Sequence, residues 1–153
     1  MTRFGADWVK FRALSGHEQR TLLAAMTLLP LFWLGLRVLG LRRLLARLQN
    51  GNSTQRHEVS LDEIVRLGTL VNIAALRGPF PANCLTRSLL LTWLLRRRGI
   101  ANQLRIGVHL ADGRLDAHAW VEHAGTPVND SADVGERFPA FAETPSLRAF
   151  HLP

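Results

Sequence analysis

Apolar residues recur at helical spacing through the first third of the chain and predict helix from about Trp8 to Leu48. Within Val38 to Leu48 the apolar positions are Val38, Leu41, Leu44, Leu45 and Leu48, while Arg42, Arg43 and Arg47 fall on other faces. Pro30 has no amide hydrogen to offer, so a division into two helices is expected there. The polar run Asn50-Gly51-Asn52-Ser53-Thr54-Gln55 reads as a linker. It separates a helical N-terminal region, residues 1–50, from a core at residues 51–153, the two expected to form one compact domain.

A further helix is announced by Ser60-Leu61-Asp62-Glu63, in which the serine caps the first turn and the glutamate reaches back to it. Leu61, Ile64, Val65, Gly68, Val71 and Ala75 are its expected buried stripe. Gly78-Pro79 stops it, and Phe80-Pro81-Ala82 continues as a short extended link. Asn83 then caps a helix beginning at Cys84. Few polar residues interrupt Leu85 to Leu95, so this helix is expected at the centre of the molecule, with Arg96, Arg97 and Arg98 at its C-terminal end and Gly99 beyond.

After Gly99 the period changes to two. Leu104, Ile106, Val108 and Leu110 alternate with Gln103, Arg105, Gly107 and His109. Asp112-Gly113 marks a hairpin turn. Leu115, Ala117, Ala119 and Val121 then alternate with Asp116, His118, Trp120 and Glu122. A turn at Ala124-Gly125-Thr126 leads to a third strand starting Pro127-Val128-Asn129-Asp130. Helices followed by antiparallel strands imply an α+β fold. From Ser131 to Pro153 the reading is irregular structure that covers the sheet.

Composition narrows the function. A single cysteine among 153 residues excludes an internal disulfide and a cysteine-based zinc framework, and a free thiol fits a reducing, cytoplasmic setting. Arg3, Asp7, Lys10 and Arg12 precede any apolar run, which does not read as a secretory signal. Thr21 to Leu36 is uncharged but short for a membrane span, so a buried or surface-docked helix is favoured over membrane contact. The net charge of +7 suits acidic partners, although the arginines also read as solvated faces and helix ends. No nucleic-acid motif accompanies them.

A nucleophilic cysteine works as its thiolate, which a helix N-terminus and a neighbouring imidazolium both favour. Cys84 has the first feature by position. Strand alternation places Asp116, His118 and Trp120 on one face, and the hairpin brings Asp130 within reach of His118 from the next strand. Nucleophile, base and orienting acid are thereby available as Cys84, His118 and Asp130. The pattern leaves alternatives open: Cys84 as a small buried residue, His109 or His123 as the base, Asp130 as a turn residue after Asn129.

The segments Cys84-Leu85-Thr86-Arg87-Ser88-Leu89, Ala117-His118-Ala119-Trp120-Val121-Glu122 and Gly125-Thr126-Pro127-Val128-Asn129-Asp130 together resemble the lasso-peptide biosynthesis B proteins, the leader peptidases of lasso-peptide clusters. The resemblance is strong over about Pro81 to Asp130, loose in the helical region and faint in the tail. It implies a papain/transglutaminase-like core with a catalytic helix and a small antiparallel sheet. Cys84 matches the family nucleophile, His118 the histidine and Asp130 the acid. The reaction implied is hydrolysis of a ribosomally made precursor peptide between leader and core, with no cofactor or metal. A separate leader-binding protein and an ATP-dependent lasso cyclase are the implied partners, because residues 1–50 are too short and too helical to hold a winged-helix leader binder as well. Arg87 and Trp120 are candidates for supporting the site. Arg87 could stabilise it, bind an acidic group or form a structural ion pair, and Trp120 could shield it from water or fill the core. The helical region could likewise pack on the catalytic helix or present a leucine-rich stripe to a partner. An acyltransferase with the same triad and a non-catalytic scaffold remain as alternatives.

Overall fold

The helical pattern at the N-terminus gives α1 (Gly16–Gln49), which runs through Pro30 and breaks at Gly40. The structure, a computed structural model, describes residues 12–49, 59–78, 80, 82–111 and 113–140; the expected start at Trp8, the linker, Asp112 and the last thirteen residues lie outside these. The expected division at Pro30 is therefore displaced by ten residues. Proline removes one hydrogen bond and crowds one carbonyl. Leu29 and Phe32 on either side of it are buried, so packing holds the helix through that position. Gly40 takes φ 74° and ψ 163°, a conformation that a Cβ opposes. Beyond it the chain turns back: a Cβ on Gly35 would meet Leu44 Cδ1 at 3.6 Å, although a straight helix would separate those residues by about 13.5 Å.

The capping box forms as expected and opens α2 (Leu61–Arg77), with the Glu63 N–H donating to Ser60 Oγ at 3.3 Å and the Ser60 N–H to Glu63 Oε2 at 3.3 Å. The buried stripe differs in part from the expected one. Ile64, Leu67, Gly68, Leu70, Val71, Ala74 and Ala75 face inwards, while Leu61 and Val65 are exposed. Leu67, Leu70 and Ala74 take over because α2 lies in contact with both α1 and α3 (Cys84–Arg97), and the wider contact rotates the inward face.

In α3, Leu89, Leu90, Leu91 and Leu95 are wholly buried, so this is the central helix that its leucine run predicts. Each such side chain contributes roughly 1.5–3 kcal/mol on removal from water. The hairpin follows as β1 (Gln103–Ala111) and β2 (Arg114–His123), antiparallel, with Gly107 opposite His118 and Leu104 opposite Val121. The third strand, β3 (Thr126–Pro127), is two residues long and pairs with the end of β2. The pattern places Asn129 and Asp130 on this strand; in the structure they lie past its end. After it, α4 (Val134–Arg137) forms a single turn, and Ala140 bridges to Gly107 on β1. The described part of the tail thus lies against the sheet. The architecture is α+β, with one core drawn from α1, α2, α3, the start of β1 and the β2–β3 region.

Candidate active site

Cys84 is the first residue of α3 and is half-buried. Its helix starts here because Asn83, in extended conformation, accepts the Thr86 N–H on Oδ1 at 2.9 Å, and the Thr86 hydroxyl donates to the same oxygen at 2.9 Å. The cap consumes the third N–H of the turn. The Cys84 N–H keeps no partner among the described residues.

His118 lies on β2, and its Nε2 is 2.7 Å from Asp130 Oδ2. A carboxylate only accepts, so Nε2 carries the proton and Nδ1 is the basic nitrogen left over. Asp130 also accepts the Ser131 N–H on Oδ1 at 2.9 Å, and Arg137 Nη2 lies 3.4 Å from that oxygen. Burial by itself would raise this carboxyl. The hydrogen bond from His118, the Ser131 N–H and the charges of His118 and Arg137 outweigh burial and hold it below its ordinary value of 3.8.

A buried polar cluster joins the elements that carry Cys84, His118 and Asp130. Ser88, one turn beyond Cys84 on the same helix face, donates its hydroxyl to the Ala119 carbonyl at 3.0 Å. Asn129 donates Nδ2 to Ser88 Oγ at 3.1 Å and accepts the Val121 N–H on Oδ1 at 2.8 Å. Asn72 of α2 donates to the Asn129 carbonyl at 2.8 Å. Here is the physical reason that β3 is short. The Asn129 side chain takes the Val121 N–H that would otherwise continue the ladder, Asn72 holds the Asn129 carbonyl, and the next residue, Asp130, meets His118. Each of the three candidates stands one residue or one helical turn from this cluster. Gly68 permits it: a Cβ there would strike the Val128 carbonyl and push α2 away from Asn129.

The rival histidines are otherwise placed. His123 Nδ1 is 2.6 Å from the Ala101 carbonyl, and His109 is exposed, edge-on to Phe138 with ring centroids 6.2 Å apart. Trp120 is fully buried beside His118, with rings 6.3 Å apart and 20° from parallel, and donates its indole N–H to Glu122 at 2.8 Å. Arg87 has no acidic partner among the described residues; its Nη1 lies 3.4 Å from Asn72 Oδ1, which attaches it to the cluster, and its Nε is buried without a hydrogen bond. Among the described residues no hydrogen bond joins Cys84 to His118.

Asn72, Ser88, Asn129, Arg137 and Phe138 were not read from the sequence as participants. The signal available for Ser88 was a serine directly ahead of a leucine run, and for Asn129 an asparagine directly before the acid. Phe138 gave none, yet its ring lies 4.9 Å from that of His118 and covers it. Among the described residues no three of His, Cys, Asp and Glu stand together as metal ligands.

The family model described as Transglutaminase-like superfamily matches residues 25–142, most of the chain and all of the cluster above. No curated protein and no solved structure matches the chain.

Proposed function

Because the chain belongs to the transglutaminase-like superfamily, whose members are generally cysteine proteases or transferases, we propose that it is a cysteine peptidase that removes the leader from a lasso-peptide precursor, with Cys84, His118 and Asp130 as its triad. The observation that carries this reading is the Ser88–Asn129 cluster, which holds the start of α3, the His118 segment of β2 and the Asp130 turn in one buried unit. The His118–Asp130 pair supports it further, since it leaves Nδ1 for the thiol. The resemblance of the cysteine and histidine segments to the lasso B proteins supplies the substrate class.

In this mechanism His118 takes the Cys84 proton, and the thiolate attacks the scissile carbonyl. The free N–H of Cys84 at the helix start stabilises the oxyanion. The imidazolium gives its proton to the leaving amine, and a thioester remains. That amine departs as the core peptide with its new N-terminus; His118 then deprotonates a water, which attacks the thioester, the C–S bond breaks, the leader leaves with a carboxylate, and the Cys84 thiolate is restored beside protonated His118. Asp130 holds the tautomer and orientation of His118 throughout. A separate leader-binding protein delivers the precursor, and an ATP-dependent cyclase consumes the freed core, in a cytoplasmic setting.

The test is mass spectrometry of precursor incubated with its leader-binding protein and either wild type or Cys84→Ala. Cleavage by wild type and a loss of about a thousandfold or more in the variant is expected. Equal cleavage by both removes Cys84 from the reaction. A product heavier by an amine instead of water identifies the acyltransferase.

A further inference from the structure

Between Gln19 and His57 the sequence has six arginines, Arg20, Arg37, Arg42, Arg43, Arg47 and Arg56, and no aspartate or glutamate. Within this stretch α1 has two apolar faces. One, with Leu22, Ala25, Leu29 and Phe32, is in the core. The other is outside: Leu23, Thr27, Leu31, Leu34 and Val38 recur every three or four residues along one stripe. Leu23 is 52% exposed, Leu31 61%, Leu34 50% and Val38 68%. Even the one hydroxyl on this stripe is satisfied within the helix, Thr27 Oγ1 donating to the Ala24 carbonyl at 2.9 Å. Beside the stripe, Trp33 is half-exposed, its ring 6.1 Å from that of Phe80 and under the Arg37 guanidinium at 5.8 Å. Arg37, Arg42, Arg43 and Arg47 are exposed and have no acidic partner among the described residues.

We infer that α1 docks this molecule on an anionic lipid surface, its segment before Gly40 lying flat with the outer stripe in the headgroup boundary and the arginines on both sides of the bend drawn to the phosphates. By length and composition the helix is apolar enough to cross a membrane. Crossing would strip Leu22, Ala25, Leu29 and Phe32 from the core, whereas lying flat keeps that face packed and buries the other. Tryptophan at the stripe edge suits the interface, where its ring is apolar and its N–H wet. The charge selects the occupant. A run of cations without anions is attracted by acidic headgroups, and it repels a second copy of itself.

Flotation of the full-length protein with phosphatidylcholine vesicles, with and without roughly one-third phosphatidylglycerol, tests the inference. Wild type is expected to float with the anionic vesicles and at least about tenfold less with the neutral ones. Leu31→Glu/Leu34→Glu should lower anionic partition by at least about tenfold, with helicity by circular dichroism unchanged. Val38→Asp, at the most exposed position, reads the same effect should the double variant lose helicity. Arg42→Gln/Arg43→Gln should weaken binding and flatten its salt dependence. Failure to float with either vesicle, equal floating with both, or unchanged floating of folded stripe variants overturns the inference and leaves the face to a protein partner.

Discussion

Asn129 ties three elements, α2, α3 and β2, to the turn that carries Asp130. Its side chain donates to Ser88 and accepts from Val121, while its carbonyl accepts from Asn72. Asn129→Ala leaves the Val121 N–H buried without its acceptor and is expected to cost about 1–3 kcal/mol in chemical denaturation. It should also lower peptide cleavage beyond what lost stability explains, because Asp130 follows it directly. Ser88→Ala removes a donor to Ala119 and an acceptor for Asn129, and a cost of about 1–3 kcal/mol is expected again, with smaller loss of activity. Equal activity per folded molecule in both variants would reduce the cluster to a fold-stabilising role. Cys84, His118 and Asp130 were all legible as residue types at plausible positions. The cluster was not, because serine and asparagine have no chemistry to flag them until two distant segments meet.

At the scale of elements, the expected and observed breaks in α1 give opposite predictions. Gly40→Ala forces a Cβ into a positive-φ conformation that is nearly confined to glycine and is expected to destabilise by roughly 1–3 kcal/mol. Pro30→Ala keeps the helix and restores a backbone donor, so thermal denaturation should show no loss and a gain in midpoint. The reverse order of the two midpoints would return the break to Pro30. Similarly, Asn83→Ala removes the cap of α3 and should cost about 1 kcal/mol. The helix boundaries around Ser60 and Asn83 were legible because capping is local. The short β3 was not, since the Val121 N–H that would continue the ladder is taken by the Asn129 side chain, which Ser88 holds from 41 residues away in sequence.

For the whole molecule, pH reports the link between the tail and the site. Asp130 is held below 3.8 by contacts from β2, from Ser131 and from Arg137 of α4. A carboxyl lowered in the folded state contributes its stability in full above its unfolded value and loses it as pH falls through the folded value. Wild type should therefore exceed Asp130→Asn in melting temperature at neutral pH, and the difference should shrink as pH drops below 3.8. A difference that is constant with pH would separate the carboxylate from the stability of the fold. By itself the sequence determined the α+β order, the capped start of the cysteine helix and the hairpin, and it supplied Cys84, His118 and Asp130 as candidates for a nucleophile, a base and an acid. Each of these follows from period, capping or side-chain chemistry within a few residues. Only the tertiary structure decided which face of α2 packs inwards, where α1 bends, why β3 stops before Asp130, and that Phe138 covers His118. Those depend on contacts between segments far apart in sequence, where close packing and the need of each buried polar group for a partner choose among conformations that local pattern leaves equivalent.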